Sequence, residues 1–242
     1  YGPAMDAGII TPSTLVYDRA LMEDDEGNPW PMNDGKYPTG REMTIKAGIT
    51  SSVNTISAQV MNALTPQKSY EFLTQQLDIK LVGSRTNEDG TVQTDVAIAP
   101  LALGALTDGV TVREMAGGFS AFINDGVFGG TRTYTKVLDN EGNTVLENTP
   151  YTDKGFENVR TAYYMLDCLQ NVTAYGTASG TQIDGVETAG KTGTTTSNTD
   201  IWFCGLTPEY SAAVWVGYKD NYRLDGLYGR NAANIWKTVM TR

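Results

Sequence analysis

The sequence has 242 residues and is acidic, with 18 lysines and arginines against 28 aspartates and glutamates and a net charge of −10. Because nucleic-acid-binding proteins present basic surfaces, we expect no nucleic-acid partner. The chain contains no histidine, which excludes a Ser-His-Asp triad and leaves lysine, serine, tyrosine and carboxylates for any proton transfer.

The length fits one large domain or two small ones, and no stretch is long and apolar enough to predict a transmembrane helix. There is no signal peptide, and the sequence starts Tyr1-Gly2-Pro3 without methionine, so we interpret it as an excised fragment. Two cysteines are too few for a thiolate metal site, so we expect no metal. Cys168 and Cys204 are predicted to be buried free thiols instead of a disulfide.

The first part of the chain is predicted to combine short helical segments with irregular chain. Residues 6–12 contain the glycine and proline typical of a helix end, and residues 23–40 form a long polar loop. Helical spacing of apolar residues returns over residues 43–63, where small polar residues interrupt it at positions 51–55.

The interruption contains Ser52 and Asn54, which are two positions apart. Residues with this spacing do not share a face of a continuous helix. If these two side chains act together, they must therefore lie on a turn between two helices. The alternative is that Ser51 or Ser52 only caps the second helix.

Further helices are predicted from caps and from apolar periodicity. Residues 97–106 are small and apolar, which is typical of a buried helix, and Thr111 with Glu114 forms a capping box. The other helices are predicted to begin at Thr65, Asn158 and Asn231, and a hairpin is predicted to join residues 133–138 to residues 144–147.

Three strands are predicted near the end of the chain: one carrying residues 191–194, then residues 200–206 and 210–218. The last two are short β-branched and aromatic runs bounded by turn residues. Their nearly continuous apolar character means that both faces are buried. We therefore predict an α+β fold with a mostly antiparallel central sheet and helices on both of its faces.

The Lys-Thr-Gly sequence at the first strand suits a particular ligand chemistry. Gly193 has no Cβ, so a ligand backbone can lie against the strand. Thr192 and Thr194 offer hydroxyl donors and Lys191 adds positive charge, which together fit a peptide-like ligand that carries a carboxylate. The alternative is an ordinary glycine-rich strand with a surface lysine.

Several of these motifs, taken together and in this order, resemble the transpeptidase domain of penicillin-binding proteins. The similarity covers nearly the whole chain and is greatest to the bifunctional class A proteins, in which a glycosyltransferase domain comes first. It implies a β-lactamase/transpeptidase-like fold. The segments that carry it are Ser52-Val53-Asn54, residues 103–104, 109–116, 175–178, 190–195, 200–203 and 214–218.

In that family, Ser-x-x-Lys, Ser-x-Asn and Lys-Thr-Gly converge on one cleft. The second and third motifs are present here, but no serine of this chain is followed by lysine three positions later. Relatives carry the first motif just before a segment similar to residues 6–12. We therefore expect residues 1–242 to be the C-terminal part of the domain, with its nucleophile upstream of residue 1.

The resemblance also implies roles for the residues that match. A serine outside this chain attacks a D-Ala-D-Ala amide or a β-lactam, and an acyl-enzyme forms. Ser52 relays a proton to the leaving nitrogen, Lys191 polarises Ser52, and Asn54 hydrogen-bonds a ligand amide. Thr192 and Thr194 hold the terminal carboxylate beside Gly193, and the N–H of Thr194 forms half of the oxyanion hole.

The implied partners are peptidoglycan stem peptides that end in D-Ala-D-Ala, and β-lactam antibiotics, with no cofactor. The implied location is the extracytoplasmic face of a bacterial cell membrane, reached through an anchor upstream of this chain. Two alternatives remain open. One is a serine β-lactamase, although class A enzymes carry Ser-Asp-Asn where this chain has Ser-Val-Asn. The other is a non-catalytic penicillin-binding or sensor domain, although such a domain would not need Ser52, Asn54 and Lys191.

Overall fold

The structure is a computed structural model that describes residues 1–241. The helices are α1 (Gly2–Asp6), α2 (Ile45–Ser51), α3 (Asn54–Leu64), α4 (Pro66–Glu71), α5 (Ile98–Leu103), α6 (Val112–Ser120), α7 (Val159–Tyr175) and α8 (Gly229–Met240). The strands are β1 (Leu15–Tyr17), β2 (Met22–Glu23), β3 (Pro29–Trp30), β4 (Glu42–Thr44), β5 (Arg85–Thr86), β6 (Val92–Gln93), β7 (Lys136–Leu138), β8 (Thr144–Glu147), β9 (Ala189–Thr194), β10 (Asp200–Leu206) and β11 (Ser211–Gly217).

The central sheet consists of the last three strands in the order β11-β10-β9, and both pairings are antiparallel. Thr192 lies opposite Phe203, and Lys191 lies opposite Cys204. The three predicted strands are thereby confirmed. The prediction that both apolar strands are buried on both faces is wrong for β11, which is an edge strand with no buried residue. Because β9 ends the sheet on one side, one of its edges is open to a ligand.

Helices cover both faces of this sheet. Trp236 of α8 packs edge-on against Phe203, with ring centroids 5.4 Å apart. On the opposite face, Leu169 of α7 clusters with Ala189 of β9 and Leu206 of β10. The predicted α+β fold, an antiparallel sheet between helices, is confirmed.

Two hairpins, β2–β3 and β7–β8, are closed by nearly identical sequences, Asp-Asp-Glu-Gly-Asn and Asp-Asn-Glu-Gly-Asn. In each loop the first aspartate accepts the backbone N–H groups of the glutamate and of the asparagine. The glycine has a positive φ, +81° in Gly27 and +86° in Gly142. Local sequence is sufficient to specify these turns. The predicted β7–β8 hairpin is confirmed, but the long polar loop predicted over residues 23–40 is wrong in part, because β3 lies within it and pairs with β2.

The structure corrects two predicted helices. Residues 97–106 form α5 only from Ile98 to Leu103, because the left-handed Gly104 ends the helix. None of the residues of α5 is buried, since the helix lies at the edge of the core. The last helix begins at Gly229, so Asn231 is its third residue and not its cap. The Asn231 side chain instead reaches back and accepts the N–H of Tyr228 at 2.9 Å.

The other helix predictions agree more closely with the structure. Thr65 caps α4, Asn158 caps α7, and Thr111 with Glu114 forms the predicted capping box of α6. Cys168 and Cys204 are buried free thiols, as predicted, and burial raises the pKa of each to about 12.

Within residues 1–241, no helix has both the length and the apolar character needed to cross a membrane.

Gly205 lies where α8 packs directly on the sheet. A Cβ there would overlap the indole of Trp236 and the ring of Phe203. We therefore expect Gly205→Ala to destabilise the fold by about 1–3 kcal/mol, the usual cost of overpacking a core. The measurement is the midpoint of urea unfolding.

A second glycine provides the control. In Gly118→Ala the new Cβ would meet Ile79 and Leu77 at 3.5 and 3.6 Å, which is ordinary contact, and alanine favours the helix by up to about 1 kcal/mol. Gly118→Ala should therefore be neutral or stabilising. If both variants unfold at the wild-type midpoint, α8 does not pack against the sheet as described.

Candidate active site

Ser52 lies in a tight turn between α2 and α3. Its backbone is left-handed (φ 56°, ψ 49°). The N–H of Ser52 donates to the C=O of Ile49, and the N–H of Val53 donates to the C=O of Gly48. Gly48 lets the helices meet, since a Cβ there would lie 3.0 Å from Ile56. The predicted interhelical turn is confirmed, and the capping alternative is wrong because Val53 is the N-cap of α3 and supplies no side-chain bond.

The backbone of β9 shows which groups face its open edge. The N–H of Thr195 donates inward to the C=O of Asp200 at 3.1 Å, across the pair with β10. Alternate residues of an antiparallel strand point their N–H and C=O to opposite sides. Thr192 and Thr194 therefore direct theirs to the open edge, where the Thr192 C=O accepts from the amine of Lys191 at 3.0 Å.

Lys191 connects this strand to the turn. Its Nζ donates to the Oγ of Ser52 at 2.8 Å, although the two residues are 139 positions apart. The predicted proximity of Ser52 and Lys191 is confirmed. Desolvation lowers the pKa of Lys191 from 10.5 to about 8, while the facing Cys204 acts weakly in the opposite direction. An amine with this pKa can give or accept a proton near neutral pH.

Asn54 is the first residue of α3 and is half-buried. Its Nδ2 donates to the C=O of Met32 at 2.9 Å, which fixes the side chain against the 18–41 loop. Within the described chain Asn54 forms no hydrogen bond with Ser52 or Lys191, so its convergence with them on one cleft stays a prediction. Among residues 1–241, no group of three or more carboxylates and thiols is placed to hold a metal ion.

A third segment, the loop after α7, joins the turn to the strand. The N–H of Thr177 donates to the C=O of Thr50 at the end of α2, at 3.3 Å. Gly176 permits this contact, because a Cβ there would overlap the same carbonyl. The hydroxyls of Thr177 and Thr192 share a hydrogen bond of 2.7 Å. The resemblance included this segment, but nothing in the sequence indicated that Thr177 contacts the Lys-Thr-Gly strand.

The start of α8 supports the strand on its other flank. Gly229 packs so closely on β9 that a Cβ added to it would lie 2.8 Å from the Cβ of Thr192. The N–H of Gly229 donates to the hydroxyl of Thr194 at 3.2 Å. Because Thr194 Oγ1 accepts this bond, its own O–H remains free to donate to a ligand.

A family model described as the penicillin binding protein transpeptidase domain matches residues 1–241. The chain is 34% identical over 248 residues to penicillin-binding protein 1A of Clostridium acetobutylicum, covering 99% of this chain and 29% of that protein. It is 28% identical over 244 residues to penicillin-binding protein 4 of Bacillus subtilis, covering 99% of this chain and 36% of that protein.

Solved structures show the same fold. The penicillin-binding protein PonA1 of Mycobacterium tuberculosis matches with a TM-score of 0.78 at 24% identity, over 99% of this chain and 65% of that one. Penicillin-binding protein 1A of Haemophilus influenzae matches with a TM-score of 0.74 at 21% identity, over all of this chain and 40% of that one. This chain thus spans about a third of the length of the curated relatives described above.

The lowered pKa of Lys191 can be measured directly. We expect an NMR titration of the Lys191 ¹³Cε shift, assigned through Lys191→Arg, to give a midpoint near 8, because the charged amine is poorly solvated. Ser52→Ala leaves this desolvation in place, so its midpoint should also stay well below the ordinary lysine value. A wild-type midpoint near 10.5 would show that the amine is solvated and the site is open to water.

Proposed function

The chain belongs to the transpeptidase family of penicillin-binding proteins, and we propose that its cleft is part of a peptidoglycan D,D-transpeptidase site that also reacts with β-lactams. The observation that carries this proposal is the contact of 2.8 Å between Lys191 Nζ and Ser52 Oγ beside the open edge of β9. A binding or sensor domain has no need for a poorly solvated amine on a serine hydroxyl. An enzyme that must protonate a leaving group does.

Ser52 and Lys191 supply the proton that acyl transfer requires. When the serine of the Ser-x-x-Lys motif attacks the scissile carbonyl carbon, its hydroxyl proton passes to the lysine of that motif, the C–N bond breaks and the leaving nitrogen must gain a proton. Ser52 gives its hydroxyl proton to that nitrogen and receives one from the Lys191 ammonium at 2.8 Å. The low pKa of Lys191 makes this transfer easier than it would be from an ordinary lysine.

The open edge of β9 holds the ligand. An extended peptide can pair with the edge as an added strand, and Gly193 leaves room for its backbone. The hydroxyls of Thr192 and Thr194 donate to the terminal carboxylate, with Thr177 fixing the orientation of Thr192. The outward N–H of Thr194 provides one oxyanion donor. These contacts fit stem peptides that end in D-Ala-D-Ala.

Asn54 completes the ligand-binding groups of this chain. Its Nδ2 is already engaged by the Met32 carbonyl, so the amide cannot rotate freely. Its Oδ1 accepts no hydrogen bond within residues 1–241 and is available to an N–H of the ligand. We assign it to the amide of the ligand's side chain.

The nucleophile is assigned to residues that this chain does not contain. No serine here has the lysine three positions later that would act as its base. The relatives are about three times as long as this chain. We therefore propose that the Ser-x-x-Lys motif precedes residue 1 in the longer protein, together with a membrane anchor that places the domain on the extracytoplasmic side.

The test is to incubate this chain and the longer protein with a fluorescent penicillin and to read the intact mass of each. The longer protein should gain one ligand mass on an upstream serine. This chain should gain none, because Ser52 approaches the ligand from the leaving-group side and half of the oxyanion hole is missing. Loss of a single such donor costs about 100- to 1000-fold.

Each other outcome has a definite meaning. An adduct on this chain would show that the nucleophile is misassigned, and a folded longer protein that gains no mass would refute the proposed function. Rapid turnover of penicillin without a lasting adduct would indicate a β-lactamase. An adduct without release of D-alanine from a stem pentapeptide would indicate a sensor domain. Heat-unfolded protein is the control for nonspecific labelling.

A further inference from the structure

Asp18 is a carboxylate that is only 2% exposed, immediately after β1. Its Oδ1 accepts the Asn33 amide and the Thr55 hydroxyl, each at 2.7 Å. Its Oδ2 accepts the backbone N–H and the hydroxyl of Thr39, at 2.8 and 2.7 Å. Both oxygens are therefore fully engaged by donors from three residues, two in the 18–41 loop and one in α3.

No lysine or arginine forms an ion pair with Asp18 in the part of the chain that the structure describes. Burial alone would raise its pKa, but the hydrogen bonds from Thr55, Thr39 and Asn33 outweigh burial and lower it. Asp18 is thus a buried anion held by neutral donors only. Such a group is costly unless every lone pair is used, so its partners are tightly constrained.

Two of these partners, Asn33 and Thr55, meet at the first turn of α3. The N-cap of this 11-residue helix, Val53, has no side chain that can bond the free N–H groups. Asn33 takes that role from another segment, since its Oδ1 accepts the N–H of Thr55 at 3.2 Å. Asp18 binds the hydroxyl of the same Thr55 and places a negative charge near the positive end of the helix.

Ser52 lies just before this first turn of α3, in a left-handed conformation that is unfavourable for a residue other than glycine. Such a conformation persists only where the surrounding structure enforces it. The hydrogen bonds of α2 fix one side of Ser52, and the bonds to Thr55 and Asn54 fix the other. Without the second set, α3 could shift and move Ser52 away from Lys191.

We propose that Asp18 is a positioning residue for acyl transfer: through Asn33 and Thr55 it holds the start of α3 so that Ser52 Oγ stays within hydrogen-bond reach of Lys191 Nζ. This inference rests on the proposed function. It assigns no chemical step to Asp18, which touches neither Ser52 nor Lys191. Its effect should be on the rate of acylation and not on the binding of penicillin.

The hydrogen-bond pattern allows an exchange experiment. In Asp18→Asn, the new amide cannot face both Asn33 and Thr39, because a donor would meet a donor on one side. In the double variant Asp18→Asn/Asn33→Asp, the amide at position 18 can donate to the carboxylate at position 33. That carboxylate can still accept the N–H of Thr55, and the Thr55 hydroxyl can accept the second N–H of the new amide, so the donor–donor contact is removed.

The readout is acylation of the longer protein by penicillin, measured over a range of concentrations to separate the limiting rate constant from the apparent dissociation constant. For Asp18→Asn we expect the limiting rate constant to fall about 10- to 100-fold, as small misplacements of reacting groups do, with little change in the dissociation constant. The double variant should recover most of the rate. A purely structural role would lower the melting temperature without this split.

Asp95 supplies a matched control. It is also buried, 1% exposed, and it accepts the N–H of Val82 and the N–H and hydroxyl of Thr107, each at 2.7 Å, but it does not contact residues 52–55. Asp95→Asn should lower the melting temperature and leave the acylation rate constant of the folded protein close to wild type.

The proposal is overturned if Asp18→Asn acylates at the wild-type rate, if it loses no more rate than Asp95→Asn, or if the double variant stays as slow as the single one or fails to fold. A wild-type protein that is not acylated at all would instead refute the proposed function. The two failures are therefore distinguishable.

Discussion

The hydrogen bond between Lys191 and Ser52 is the interaction on which the rest of the structure depends. Its two atoms lie 2.8 Å apart on residues separated by 139 positions, so no local structure can bring them together. The sheet must end at β9, the α2–α3 turn must reach that edge, and the amine must be shielded from water. Glycines make the close approaches possible: Gly48 between the helices and Gly176 beside the turn.

The electrostatics of the site contrast with those of the whole chain. The protein carries a net charge of −10, yet no carboxylate forms an ion pair with Lys191 within residues 1–241. A nearby carboxylate would raise the pKa of Lys191 and hold its proton. Burial without a partner does the opposite and lowers this pKa to about 8. The buried carboxylate of Asp18 accepts hydrogen bonds from neutral donors only. It can therefore hold the start of α3 in place without forming an ion pair with Lys191.

Much of the fold could be predicted from local sequence, because the relevant interactions are local. The Thr111–Glu114 capping box, the β7–β8 hairpin and the apolar strands each specify their own backbone. The β2–β3 hairpin has the same turn sequence but was not predicted. The Ser52–Lys191 contact was predicted only through the resemblance to a family. Asp18 and Asn33 could not be found, since their bonds to Thr55 span 37 and 22 positions and leave no periodic pattern. Asn231 was misplaced because asparagine serves both as an N-cap and, as here, as a residue that reaches back to the cap.

The most direct test of the central claim is a double-mutant cycle on acylation of the longer protein by penicillin. Ser52→Ala and Lys191→Ala should each slow acylation by about 100- to 10,000-fold, the range for a positioned proton donor. If the two side chains act as one unit, the double variant will be no slower than the slower single variant. Lys136→Ala, on the exposed β7 strand, controls for loss of a lysine. Losses that multiply in the double variant, or near-normal acylation by Lys191→Ala, would contradict the account.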